Sequence, residues 1–226
     1  ARDGFDVAVN YAHSAAEAEK LADEVKTMGA SSVAIKADVG SEAEVADMYA
    51  HIDEVMPPLA GLVNNAGILF EKARLEEFDA ERINETMRVN VTGSFLCARE
   101  AVRRMSTERG GKGGGIVNLS SAAARIGSPN EFIDYAASKG AIDAMTLGLS
   151  KEVAGHGIRV NAVRPGLIHT DIHASPGQPD RVERLQGQVP MGRGGTAEEV
   201  AESVVWLLSP AASYVNGVLL DVTGGR

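Results

Sequence analysis

Tyr135 and Lys139 stand four residues apart in the run DYAASKGAIDAMTLGLSKEVA, which reads as a helix. Side chains at i and i+4 share a helix face, so this spacing sets an ammonium beside a phenol. A free phenol titrates near ~10, too high for easy proton exchange at neutral pH. A neighbouring positive charge favours the phenolate and lowers that value. Ser121 closes the run IVNLSS, which reads as a strand, and its hydroxyl can donate to a substrate oxygen. Together the three residues are equipped to reduce a carbonyl: one side chain polarises the oxygen and another supplies its proton. The pair by itself specifies little, because Tyr-x-x-x-Lys recurs by chance on solvated helix faces.

The elements that must hold these groups alternate between strand and helix. FDVAVN, SSVAIKA, LAGLVNN, GIVNLS, IRVNAV and VLLDV read as strands. Between them lie the helices SAAEAEKLADEVKTMG, one from Ser41 to just before Pro57 and Pro58, one from about Ala80 to Met105, the Tyr135 helix, and TAEEVAESVVWLLS. Ser14 with Glu17, Ser41 with Glu44 and Thr196 with Glu199 have the spacing of capping boxes, and Gly29 can end the first helix. Val33 and Ile35 share one strand face, and Trp206 and Cys97 are expected in the core. Such alternation implies a parallel sheet covered on both faces, a doubly wound α/β fold in three layers and a single domain. The run GGKGGG at 110–115 imitates a phosphate loop. It precedes a strand, whereas the dinucleotide fingerprint follows one and opens a helix, so it reads as a flexible connection.

A chain of 226 residues can bury one sizeable core. No apolar run is long enough to span a bilayer, and no secretory leader is visible. The formal net charge of −9 argues against nucleic acid as a partner. A single cysteine excludes an intrachain disulfide. The expected location is the cytoplasm, and no residue is assigned to a metal.

Further motifs accompany the Ser-Tyr-Lys set. LAGLVNNAG carries Asn64, Asn65, Ala66 and Gly67, and RVNVTGSF carries Asn90. IRVNAVRPGLIHTD carries Pro165, Gly166, Ile168 and Thr170, and YVNGVLLDVTGG follows. Their order and spacing resemble the short-chain dehydrogenase/reductase family over almost the whole chain. The style is that of bacterial sugar dehydrogenases and 3-oxoacyl reductases. The resemblance implies hydride transfer between a nicotinamide cofactor and a small carbonyl or secondary alcohol. Tyr135 would be the general acid/base, Ser121 would stabilise charge on the oxygen, and Lys139 would tune Tyr135 and hold the nicotinamide ribose. Asn90 would help hold a water linking Lys139 to solvent. Ser120 and Ser121 must point to opposite strand faces. Ser121 is chosen as the second serine of the motif, although it lies one residue farther from Tyr135 than the family's usual spacing.

The resemblance also assigns cofactor contacts. Asp38 would meet the adenine, assisted by the Val39 backbone. Asn65, Ala66 and Gly67 would line the adenosine ribose, and Pro165, Gly166, Ile168 and Thr170 would hold the carboxamide. It further implies that a strand, a glycine-rich turn and a helix, roughly 25 to 30 residues, precede Ala1, and that FDVAVN and LAGLVNN flank that strand. The pyrophosphate site is therefore assigned to no residue here. FDVAVN ends in Asn10, where an acid would bond the ribose 2′-OH of NAD. With no carboxylate there, and with Asn10, His13 and Ser14 able to contact a phosphate near a helix start, NADP(H) is favoured over NAD(H).

After Thr170, the segment DIHASPGQPDRVERLQGQVP occupies the place of the family's mobile substrate loop. His169 and His173 fall near its base, and Arg181, Glu183 and Arg184 read as a solvated helix face. Nothing in it anchors a particular substrate. Family members are commonly tetramers, so a homotetramer is expected. Two readings from other classes stand beside this one: a catalytically silent nucleotide-binding regulator on the same fold, and a non-enzymatic assembly subunit.

Overall fold

The computed structural model describes residues 1–170, 172 and 177–226. In chain order the elements are β1 (Val7–Tyr11), α1 (Ala15–Thr27), β2 (Ser32–Lys36), α2 (Glu42–Val55), β3 (Gly61–Asn64), α3 (Ala80–Met87), α4 (Gly93–Met105), β4 (Gly114–Leu119), α5 (Ala123–Ile126), α6 (Ile133–Glu152), β5 (Ile158–Pro165), β6 (Ile168–His169), α7 (Arg181–Leu185), β7 (Gly195–Thr196), α8 (Ala197–Leu208) and β8 (Leu219–Val222). Among the described residues, no helix is long and apolar enough to cross a membrane.

Among the described residues, all strand pairings are parallel. β1 pairs with β2, and a second leaf has the order β3-β4-β5-β8, while β6 and β7 form a two-residue bridge. β1 and β3 are not hydrogen-bonded to each other, and among the described residues each has one strand neighbour. The two leaves nevertheless share a core. Ile35, Ala37 and Val39 at the end of β2 pack with Tyr49 and Ile52 of α2, Ala98 and Met105 of α4, Ile116 of β4 and Val160 of β5. The other face of β4 and β5 presents Val117 and Val163 to Val200, Val204 and Leu207 of α8. Successive strand side chains point to opposite faces, and both faces are covered here, so β4 and β5 carry buried apolar residues on both: Ile116 and Val160 on one, Val117 and Val163 on the other.

A polar ladder crosses this interior. The Asn64 amide donates to Asn118 Oδ1 at 2.9 Å, and Asn118 donates to Thr146 Oγ1 at 2.9 Å. Thr146 in turn donates to the Ile142 carbonyl at 2.8 Å. These groups are buried and each finds a partner, which avoids the cost of an unmade bond.

Several local expectations are corrected. The helix expected from Ala80 to Met105 is interrupted by a π-turn over Arg88–Thr92, which inserts an extra residue between α3 and α4. Thr196 and Glu199 form their capping box. At Ser41 only half forms: its hydroxyl accepts from Glu44 N, but the Glu44 carboxylate accepts from Asp38 N at 2.9 Å. Ser14 makes no side-chain cap bond, because its backbone (ψ 64°) does not aim the hydroxyl at α1. Trp206 is 42% exposed, because the core-facing stripe of α8 is Val200, Val204 and Leu207 and the indole falls on its flank. Cys97 is buried.

The GGKGGG run is a close-packed corner instead of a flexible connection. Gly113 has φ +77°, and a Cβ there would strike the Gly157 carbonyl; one at Gly114 would strike the Ala60 carbonyl and the Met105 sulfur. The corner is tied by Gly113 N donating to Met105 O at 2.8 Å and Gly114 N to Gly157 O at 3.0 Å.

Candidate active site

β4 delivers Ser120 and Ser121 to the carboxyl end of the sheet, where α6 crosses. The buried Ser120 hydroxyl donates to the Lys139 carbonyl at 3.2 Å and so ties β4 to α6. Ser121 faces the other way. Its Oγ accepts from Ala123 N at 3.1 Å, and the hydroxyl neighbours the Tyr135 phenol. Burial pushes the Tyr135 phenol above its ordinary value, and the neighbouring Ser121 hydroxyl offsets part of that rise.

Lys139 is 5% exposed, with its ammonium 5.5 Å from the centroid of the Tyr135 ring. It donates to the Leu119 carbonyl at 2.6 Å. Desolvation pushes it down to about 8, opposed by the charge of Asp143. The expectation that Lys139 lowers the Tyr135 value is not met in this structure. The ammonium gives one N–H to a backbone carbonyl and is itself desolvated, and burial is the largest influence on both groups.

Asn90 sits in the π-turn, 1% exposed. Its amide donates to Ile68 O at 3.0 Å and to Ser138 Oγ at 3.1 Å, while its Oδ1 accepts from Ile68 N at 2.7 Å. The side chain therefore clamps the strip that follows β3. A Cβ on Gly67 would lie 3.4 Å from Asn90 Oδ1 and 3.7 Å from Lys139 Nζ. Asn90, Ser121, Tyr135, Lys139 and Gly67 thus converge at the carboxyl ends of β3 and β4, the edge where open α/β sheets bind ligands.

The remaining predicted residues are spread along the same edge. Asn65, Ala66 and Gly67 are exposed. Pro165 ends β5 and accepts from Ala122 N at 2.9 Å, Gly166 N donates to Val222 O at 2.9 Å, Ile168 is buried in β6, and Thr170 is exposed. Asp38 follows β2, with Val39 packed under Gly93. His13 and Ser14 are exposed beyond β1. The Asn10 amide is committed, donating to Ala37 O at 2.9 Å and Ile35 O at 3.3 Å, so toward an anion it has no free donor. His169 Nδ1 lies 3.7 Å from Glu183; His173 lies outside the described residues. Arg181 is not on a solvated face. Its side chain is 12% exposed, stacks over the Phe132 ring and pairs with Glu131 at 2.6 Å, because α7 packs against the loop before Tyr135. Glu183 and Arg184 are exposed, as expected.

Sequence reasoning missed four participants. Ser138 supports Asn90. Asp143, one helical turn beyond Lys139, is held by Arg164 through contacts of 2.6 to 3.2 Å. Arg88 binds Asp38 at 2.7 Å. Asp143 was findable as the third member of the series 135, 139, 143 on one helix face. The others depend on strand and helix packing that no local spacing reports.

Comparison with known proteins extends this geometry. A family model described as enoyl-(acyl carrier protein) reductase matches residues 1–226. The chain is 54% identical over 226 residues to the uncharacterized oxidoreductase YgfF of Escherichia coli (strain K12), covering 100% of this chain and 92% of that protein. It is 35% identical to the 3-oxoacyl-[acyl-carrier-protein] reductase FabG of Staphylococcus aureus (strain Mu50 / ATCC 700699), covering 100% and 89%. A gluconate 5-dehydrogenase from Burkholderia cenocepacia J2315, solved in complex with NADP and tartrate, superposes with a TM-score of 0.88 at 30% identity, covering 98% of this chain and 85% of that one. The chain belongs to the short-chain dehydrogenase/reductase family of NAD(P)-dependent oxidoreductases.

The residues present fit such a cofactor. Asn65, Ala66 and Gly67 are exposed, and Gly67 leaves the approach to the Lys139 ammonium open. An ammonium has three N–H groups; with one given to Leu119 O, two remain for ligand hydroxyls among the described contacts.

Proposed function

We propose that the protein reduces a small carbonyl compound, or oxidises the matching secondary alcohol, with NADP(H). The observation that carries this reading is the meeting of the Tyr135 phenol with the Ser121 hydroxyl beside the buried Lys139 ammonium. The bound nicotinamide supplies or accepts the hydride. Tyr135, kept protonated by burial, donates its proton to the carbonyl oxygen as general acid. Ser121 donates a hydrogen bond to the same oxygen, where charge develops. Lys139 holds ribose hydroxyls with its two remaining N–H groups and stabilises the tyrosinate left after proton transfer. Asn90 keeps the strip after β3 against Lys139.

NADP(H) is preferred in this reading because no carboxylate stands at the end of β1 to repel a 2′-phosphate, and His13 and Ser14 are exposed there. The same reading takes the protein as a cytoplasmic homotetramer, for which light scattering is the direct measurement.

The test is NADPH consumption over a panel of sugar-derived, β-keto-ester and simple ketone substrates. Tyr135→Phe should lose activity by about 10²–10⁴-fold while still binding NADPH by fluorescence. NADPH binding without turnover anywhere in the panel would replace this reading with that of a silent nucleotide-binding regulator.

A further inference from the structure

Asp38 is held by a neighbour that no motif announces. Arg88, in the π-turn, reaches across Gly40 and donates from one terminal nitrogen to Asp38 Oδ2 at 2.7 Å. Its other two nitrogens grip the Glu85 carboxylate at 2.7 and 2.8 Å. The second Asp38 oxygen accepts from Gly40 N at 2.8 Å. Both carboxylate oxygens are thereby fixed in place. A carboxylate has about four acceptor sites, so these two bonds leave one free on each oxygen, and the Asp38 side chain is 36% exposed. The arrangement is a preset acceptor at the carboxyl end of β2, pointing its spare capacity at whatever donor arrives. A Cβ at position 40 would collide with the guanidinium, so the glycine is what lets Arg88 lie where it does.

We propose that Arg88 is a positioning residue for cofactor recognition, fixing Asp38 as the acceptor for the exocyclic amine of the adenine. This rests on the reading of Asp38 as the adenine contact. Arg88 acts through Asp38, with Glu85 as the brace that keeps the guanidinium from swinging away.

The decisive probe is the hypoxanthine analogue of NADPH, in which a carbonyl oxygen replaces the exocyclic amine. The measured quantities are the ratio of the Kd for the analogue to the Kd for NADPH, by fluorescence titration without substrate, and the matching ratio of kcat/KM with NADPH to kcat/KM with the analogue. The wild-type ratio should exceed one by about tenfold, the worth of one hydrogen bond to a charged group. In Arg88→Ala the ratio should fall toward one, through a higher KM for NADPH at nearly constant kcat. Glu85→Gln and Arg88→Lys, which keep most of the local packing, should give intermediate ratios. They carry the test if Arg88→Ala does not fold. A general structural role would lower activity with both cofactors alike and leave the ratio unmoved. An unchanged ratio in all foldable variants, with a wild-type ratio well above one, overturns the role of Arg88. A wild-type ratio of one overturns the adenine reading of Asp38 instead, and no turnover with either cofactor overturns the proposed function.

Discussion

Lys139 is costly to the fold. Its folded-state value, about 8, lies below the ordinary 10.5, so the unfolded chain holds that proton more tightly. Stability should therefore rise with pH between about 8 and about 10.5, and the penalty, on the order of 3 kcal/mol, is fully present below about 8. Urea unfolding at pH 7 and pH 9.5 checks this: wild type should gain stability at the higher pH, and Lys139→Met should not. Reductive turnover should show an alkaline limb near pH 8, as the ammonium needed beside the tyrosinate loses its proton. At this scale much of the site was legible. Tyr135, Lys139 and Ser121 announced themselves through spacing on a helix and at a strand end. Desolvation did not, because burial depends on what packs over a residue. The sequence accordingly suggested a lowered phenol, where the folded chain raises it.

Elements set the geometry that residues use. The strands and most helices were readable because β-branched alternation, capping residues and Pro57–Pro58 mark them locally. The π-turn was not, since an inserted residue leaves the helical pattern nearly intact, yet it carries both Asn90 and Arg88. The contact of α7 with the loop before Tyr135 was equally hidden, because Arg181 and Glu131 are fifty residues apart. Both partners are largely buried, so the pair should couple in a double-mutant cycle on stability, by about 1–2 kcal/mol. Arg181→Ala alone leaves Glu131 with only Lys72, at 3.7 Å, among its described partners. Additive losses from Arg181→Ala and Glu131→Ala would show that the contact holds nothing.

At the level of the molecule, the β1–β2 leaf joins the β3-β4-β5-β8 leaf by side chains. The shared core at Ile35 and Val39 and the Asp38–Arg88 pair link the two leaves. Hydrogen exchange should protect β4 and β5 most, since each is paired on both sides and buried on both faces. Exchange from β4 and β5 as fast as from the five-residue helix α7 would show that the sheet opens with its periphery. The opposite end of the sheet has a practical consequence. A run such as GGKGGG invites the protein engineer to graft a tag there, or to cut and re-splice the chain into a circular permutant. Gly113 and Gly114 instead thread between the carbonyls of Ala60 and Gly157 and the sulfur of Met105, so that part of the run is unsuited to new sequence. A fully exposed residue such as Tyr214, 102% accessible, is the better handle for labelling or immobilisation.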